Sequence, residues 1–288
     1  MSSPNVVQPF LFERLDIRGA LVTLDSAWRS LLEGRDYPAA VVNLLGEMSA
    51  VTVLIAANLK QAGRMTFQLR GSGPINLMVL DCDEQIRLRG MAHWQPESLR
   101  EQLSAPDLLG HGQLALTLDV PAMHQPYQSL VPLVGDSIAA IFEHYLTQSE
   151  QQPTRLILAA APERAVGLFL QKLPGADARD EDGWNRLQYL LATLHPAEML
   201  ALAQEDLLLR LFPEEVIRVF AARPITHHCP EDWEKVWNLL RGLGRPECDA
   251  ILREHGEIVI RDDICNRDYR LDGAAVAALF EPPSATLH

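Results

Sequence analysis

The sequence contains little cysteine, and this excludes the disulfide-rich class of small extracellular proteins. Four cysteines in a chain of 288 residues are too few for a disulfide scaffold. The first ten residues show neither a basic leader nor an apolar signal core. We therefore expect a cytoplasmic protein whose cysteines are normally reduced.

Positive charge is also scarce. Lys and Arg number 25 against 38 Asp and Glu, so the net charge is −13. Nucleic acids and anionic membranes bind to clustered positive surfaces, and we expect neither as a partner. Proteins are the expected partners. Hydrophobic residues make up 48% of the chain, which is enough for about two domains with proper cores.

The first part of the chain lacks a recognisable catalytic constellation. Its histidines are scattered, and no nucleophile is paired with any of them. The loop Gly71-Ser72-Gly73-Pro74 is rich in glycine, but no helix follows it to complete a phosphate site. We interpret this loop as a turn, and this part of the chain offers no catalytic residue.

Alternating strands and apolar helices predict an α+β domain over residues 1–174. Period-two alternation predicts strands, among them residues 65–69 and 75–79. A long helix begins near residues 36–38 and is apolar on most of its faces. A buried central helix fits this pattern better than a membrane span, because Glu47 would lie inside the bilayer. The result is a mixed sheet with at least two helices packed against it.

An acidic, glycine-bearing break at residues 174–183 is the best domain boundary in the chain, and a leucine-rich helical pattern follows it. Three short amphipathic helices are predicted there, separated by Pro196 and Pro213. Short helices cannot bury so much leucine alone, so we expect them to dock on the first domain. Their undocking would expose a large apolar surface. An ordinary helical subdomain would have the same composition.

Two clusters of potential metal ligands flank a helix-like segment near the end of the sequence. The first contains His227, His228 and Cys229, and the second contains Asp262 and Cys265. Within each cluster the side chains are close enough to share one tetrahedral ion, which is the outline of a zinc site. The alternative is a histidine pair and two reduced thiols with no metal.

Short sequence blocks in a fixed order run along nearly the whole chain. They are Phe12-Glu13 with Arg18-Gly19, Asp36-Tyr37-Pro38, Gln68-Leu69-Arg70-Gly71-Ser72-Gly73-Pro74-Ile75-Asn76-Leu77, Tyr127-Gln128, Ser149-Glu150-Gln151-Gln152-Pro153-Thr154 and Gly256-Glu257-Ile258. With these blocks the chain resembles the heat shock protein 33 family of redox-regulated chaperones. The resemblance implies an α+β domain at 1–174, a metastable helical linker at 175–224 and a small zinc domain at 225–288.

The resemblance also implies an ATP-independent holdase that binds unfolding client proteins under heat or oxidative stress and is not an enzyme. In that family, four thiolates in a Cys-x-Cys and a Cys-x-x-Cys motif bind zinc and hold the small domain folded. Oxidants form two local disulfides and zinc leaves. The small domain and the linker then unfold, and the exposed surface binds clients, typically as a homodimer.

This sequence departs from the family at the metal site. His227 and Asp262 stand where the family has the first cysteine of each motif, while Cys229 and Cys265 match the second. Neither local disulfide can form, and a zinc site of these four residues would be weaker and more sensitive to acid. His228 is a rival ligand, although the family spacing favours His227. Cys229 and Cys265 are the candidate redox pair, and a single long-range disulfide between them would staple the small domain.

The other two cysteines have simpler interpretations. Cys248 lies where the family places an apolar core residue, and we predict a buried free thiol rather than a ligand. Cys82 is predicted to be a poor nucleophile in an acidic turn.

A zinc-dependent hydrolase or lyase is the alternative function, but only Asp263 and Glu257 could act as its general base. We predict a chaperone whose activation no longer depends mainly on oxidation.

Overall fold

The structure is a computed structural model that describes residues 5–59, 63–100, 103–123 and 125–280. Its strands are β1 (Val6–Phe12), β2 (Ile17–Leu24), β3 (Arg64–Gly71), β4 (Ile75–Asp83), β5 (Arg87–Trp94), β6 (Gly112–Asp119), β7 (Tyr127–Pro132), β8 (Thr154–Ala161), β9 (Arg164–Lys172), β10 (Ile217–Val219), β11 (Arg223–Pro224), β12 (Thr226–His227), β13 (Ile258–Asp262) and β14 (Arg267–Leu271). Its helices are α1 (Ser26–Leu32), α2 (Ala39–Asn58), α3 (Ala105–Leu109), α4 (Ile138–Glu150), α5 (Ala176–Arg179), α6 (Gly183–Leu191), α7 (Pro196–Ala201), α8 (Gln204–Leu211), α9 (Trp233–Leu243), α10 (Arg245–His255) and α11 (Gly273–Phe280). The predicted α+β class is confirmed.

The chain forms two compact units, Met1–His228 and Cys229–His288. Two six-stranded sheets build the first unit. One has the order β10-β1-β2-β9-β8, with β11 also paired to β1, and the other has the order β12-β5-β4-β3-β6-β7. The helix α2 packs against β8 and β9 of the first sheet and against β4 and β5 of the second.

The helix α2 is the centre of the main core, as predicted. By length and hydropathy it would also suit a membrane span, but 72% of its apolar window is buried inside the protein. The hydroxyl of Ser49 donates to the carbonyl oxygen of Leu45, four residues earlier in the helix. Thr52 bonds to Met48 in the same way, so these buried polar groups are satisfied within the helix.

The alternation predicted for residues 75–79 is interrupted in the structure. A β-bulge shifts the pairing of β4 with β5 just after Ile75. A bulge inserts one residue, and the side chains beyond it exchange faces. Met78 and Leu80 therefore join Ile75 in the main core, whereas Leu77 is partly exposed. The predicted common face for Ile75 and Leu77 is wrong.

The glycine-rich loop between β3 and β4 is a turn, as predicted. The backbone N–H of Gly73 donates to the carbonyl oxygen of Leu109 at 2.9 Å. A Cβ atom at Gly73 would lie 2.5 Å from the carbonyl oxygen of Leu108. The loop therefore needs glycine for a close backbone approach to α3.

Three short helices, α6, α7 and α8, dock on the first sheet, and we call them the cover helices. The prediction that they bury their leucines against the preceding part of the chain is confirmed. We call the apolar cluster between these helices and the sheet, with side chains from both, the docking core; its buried members are Phe10, Phe12, Leu15, Ile17, Leu21, Ala159, Val166, Leu168, Leu170, Ala176, Leu187, Leu191, Met199, Leu207, Leu208, Leu211 and Phe212. The rings of Phe12 and Phe212 meet edge to face with centroids 4.9 Å apart.

The second unit contains α9, α10, the hairpin β13-β14 and α11. Its small core consists of Val236, Leu240, Cys248, Ile258, Tyr269, Leu271 and Val276. The unit begins at Cys229, whereas the predicted last domain begins at residue 225. Residues 225–228 belong to the first unit, where Thr226 and His227 pair in parallel with β5.

Candidate functional site

A disulfide bond joins Cys229 and Cys265 within the second unit. Their Cα atoms are 5.4 Å apart, which lies in the usual range for a disulfide. The two cysteines are 36 positions apart in the sequence. The bond therefore connects the first residue of the unit to the turn of its hairpin and closes a long loop.

The turn between β13 and β14 positions Cys265. The carboxylate oxygen Oδ1 of Asp262 accepts a hydrogen bond from the backbone N–H of Cys265 at 3.1 Å. Asn266 adopts a left-handed conformation with φ of 52°, which asparagine tolerates better than most residues. The guanidinium Nη2 of Arg267 donates to the carbonyl oxygen of Cys229 at 3.2 Å. A side-chain hydrogen bond from Arg267 therefore links the hairpin to the first residue of the unit, in addition to the disulfide.

His227 and His228 lie in the first unit. The backbone N–H of His228 donates to the carbonyl oxygen of Leu88 and extends the pairing of β12 with β5. Burial, followed by the nearby charges of Arg35 and His228, lowers the pKa of the half-buried His227. The imidazole of His227 is therefore kept neutral more readily than an exposed one.

Zinc, the metal that the resemblance implies, does not fit the four predicted ligands as they are arranged here. A metal binds cysteine as the thiolate, and the sulfur atoms of Cys229 and Cys265 are bonded to each other. The Oδ1 atom of Asp262 accepts a hydrogen bond from the backbone N–H of Cys265 in the hairpin turn. In the part of the chain that the structure describes, no group of three or more His, Cys, Asp or Glu side chains could hold a metal ion. The ligand set with His227 stays a prediction for the reduced chain.

The remaining cysteines are free thiols in the cores of the two units. Cys248 is fully buried in the small core, so its predicted packing role is confirmed. Cys82 lies within β4 and not in a turn, and only 1% of it is exposed. Its pKa is raised mainly by burial and then by the charges of Asp83 and Asp81. It is a poor nucleophile for a stronger reason than the sequence suggested.

Side-chain hydrogen bonds anchor each cover helix to the first sheet. Arg155 of β8 donates from Nε to the side-chain oxygen of Gln188 in α6 at 3.0 Å. Arg164 of β9 donates to the carbonyl oxygen of Leu200 in α7 at 2.8 Å. Neither contact is predictable from the sequence pattern, because periodicity shows which residues are apolar but not which polar residues meet.

The third anchor joins α8 to β2, where Gln204 donates from Nε2 to the hydroxyl of Thr23 at 2.9 Å. The outer faces of the cover helices carry exposed apolar side chains as well. Tyr189 of α6 is 75% exposed and Leu209 of α8 is 71% exposed. Apolar surface is therefore present on both faces of these helices.

An α+β body with helix-covered apolar surface, followed by a small unit of helices and one hairpin, defines a class of fold that has been solved before. The crystal structure of the 33 kDa chaperonin, a heat shock protein 33 homologue from Thermotoga maritima, superposes with a TM-score of 0.80. The match covers 96% of this chain and 97% of that one, at 20% sequence identity. This likeness shows the shared fold.

Sequence comparison gives the particular family. The family described as Hsp33 protein matches residues 5–272, and the chain belongs to this family of chaperones. It is 40% identical to the 33 kDa chaperonin of Methylobacillus flagellatus over 273 residues, which span 94% of this chain and 92% of that protein. It is also 40% identical over 284 residues to the 33 kDa chaperonin of Chromobacterium violaceum, covering 98% and 95% of the two chains.

Proposed function

We propose that this chaperone is an ATP-independent holdase that binds unfolding proteins in the cytoplasm and prevents their aggregation under heat or oxidative stress. The docking core is the observation that carries the proposal. It is a large apolar cluster whose outer side is formed by three short helices and not by a second sheet or a separately folded domain. Release of these helices would uncover the rings of Phe10 and Phe12 for a client.

The cover helices are suited to release at low free-energy cost. They are 9, 6 and 8 residues long, and isolated helices of this length are marginal in water. Their stability therefore comes from docking, and an element of this kind opens locally before the whole unit unfolds. Rising temperature would release the cover helices while the α2 core stays folded.

The surface uncovered in this way is apolar, like the side chains that an unfolding client exposes. Unfolding proteins expose aliphatic and aromatic side chains, and burying them against the docking core removes apolar surface from water. No nucleotide is needed for this binding. The net charge of −13 helps to keep the loaded chaperone in solution.

Activation in this chain is proposed to be largely independent of oxidation. The two local disulfides of the family cannot form here, because His227 and Asp262 replace one cysteine of each motif. Heat remains as the signal that releases the cover helices. A homodimer of the active form stays a prediction, and sedimentation velocity of the heated protein would check it.

The test is light scattering from a heat-unfolding client protein, with this chaperone added in fully reduced or peroxide-treated form. We expect the reduced form to suppress aggregation without any oxidation step. Serum albumin at equal mass serves as the control for nonspecific crowding. Absence of suppression by either form would refute the holdase proposal, and suppression by the treated form alone would refute independence from oxidation.

A further inference from the structure

The disulfide between Cys229 and Cys265 encloses most of the second unit. The helices α9 and α10 and the strand β13 all lie between the two cysteines. In the unfolded chain such a cross-link restricts a loop of this length, and the loss of that freedom favours the folded state. The bond is therefore placed where it constrains the unit as a whole.

The second unit has a small core. Among its described residues, seven are buried in this core, one of which is Cys248, and partly buried apolar side chains pack around them. Domains of about this size bury a small fraction of their surface and commonly depend on disulfides or metals. While Cys229 and Cys265 are bonded to each other, neither provides a thiolate for zinc. A cross-link of sulfur to sulfur remains.

We propose that the Cys229–Cys265 disulfide replaces the metal as the cross-link of the second unit, so that reduction loosens this unit and oxidation locks it. This polarity follows from the geometry of the bond, because a bond that closes a long loop stabilises the folded unit. The change in the stability of the second unit does not depend on the proposed holdase function. Its consequence for client binding rests on the proposed holdase function, in which the reduced chain needs no oxidation step to protect a client.

The chemistry requires a dithiol reductant in one direction and a peroxide in the other. A dithiol thiolate attacks one sulfur of the disulfide, and the other sulfur leaves as a thiolate that takes up a proton. The second dithiol sulfur then closes the reductant into its own disulfide and releases the second protein thiol. Two electrons and two protons reach the protein. In the reverse direction, hydrogen peroxide oxidises the two thiols to the disulfide and yields two molecules of water.

Hydrogen exchange followed by mass spectrometry tests the stability change on the full chain without a client. We expect dithiothreitol to raise the exchange rate of the protected amides in β13 and β14 by roughly 10²- to 10³-fold, as loop closure predicts. The amides of α2 are the internal control and should not change. Removal of the reductant and addition of peroxide should restore the slow exchange.

The double variant Cys229→Ser and Cys265→Ser is the matched control. Its exchange in β13 and β14 should equal that of the reduced wild type and should not respond to dithiothreitol. If the variant does not fold, the reduced wild type still decides the question, because it carries no substitution. Faster exchange in the second unit after peroxide treatment would overturn the proposal.

A zinc titration of the reduced protein tests the replacement of the metal. We expect one equivalent of zinc chloride to leave the fast exchange unchanged. Recovery of slow exchange with zinc would overturn the proposal, because the metal would then be the cross-link. Light scattering separates the two proposals: a reduced chain that loosens but fails to protect a client refutes the holdase function alone.

Discussion

Glu47 places a carboxyl group in the core helix α2, where it is only partly exposed. Burial raises its pKa to about 7 from a usual value of 4.5. The folded state therefore binds the proton more tightly than the unfolded chain does. The stability that this proton provides is fully present below about pH 4.5 and is lost as the pH rises through about 7.

Replacement of Glu47 by glutamine should remove this dependence on pH. At pH 8 we expect Glu47→Gln to be more stable than the wild type by up to about 3 kcal/mol, because the wild type must keep a desolvated charge. The advantage should shrink markedly at pH 5. Urea denaturation at the two pH values measures the difference.

The exposed Glu163, in the turn between β8 and β9, provides the matched control. Glu163→Gln removes the same charge from the same unit without removing a buried group. We expect its effect on stability to be small at both pH values. An equal gain from both variants would contradict the assignment of the effect to burial.

At the scale of elements, the anchors of the cover helices decide how easily the docking core opens. Arg164 holds α7 through the carbonyl oxygen of Leu200, and its guanidinium lies 3.8 Å from the carboxylate of Asp25. We expect Arg164→Met, which keeps much of the aliphatic stem, to weaken docking by about 1 kcal/mol. Client protection should then begin at a lower temperature, as followed by light scattering.

An exposed arginine of the same unit controls for the loss of positive charge. Arg14→Met changes the net charge equally, and Arg14 is exposed in the turn between β1 and β2. Its onset temperature should match that of the wild type. If both variants shift the onset alike, charge and not anchoring is responsible.

Phe12 has two roles at this scale, since it packs against Phe212 and would also contact a client. We expect Phe12→Ala to destabilise the docked state by about 3 kcal/mol or more through loss of burial. Exchange in α8 should therefore become faster, while the amount of client protected per mole should fall. A variant that opens more easily and protects equally well would exclude Phe12 from the client surface.

For the whole molecule, the two units should respond differently to a reductant. The cysteines of the disulfide lie in Cys229–His288, and the first unit contains Cys82, which is a free thiol. We expect dithiothreitol to lower the melting temperature of the second unit by roughly 10 to 30 °C and to leave that of the first unchanged. Differential scanning calorimetry with and without reductant measures both transitions. Equal shifts in both would show that the effect is not carried by the disulfide.

Local sequence patterns predicted much of the fold. The apolar faces of α2 identified it as a core helix, and the leucines of residues 184–211 predicted docking. The position of Cys248 among apolar residues predicted its burial. Each of these properties depends on residues a few positions apart, whose spacing defines the face that they share.

The sequence by itself determined the α+β class, the buried central helix, the leucine-rich cover and the loss of two motif cysteines. Only the tertiary structure decided the bulge after Ile75, the pairing of His227 with β5 and the three anchors, and it brought together Cys229 and Cys265, which the sequence had named as a candidate pair. These features join residues that are distant in the chain or depend on the register of a partner strand. Periodicity describes one segment at a time, so it does not show which distant segments meet.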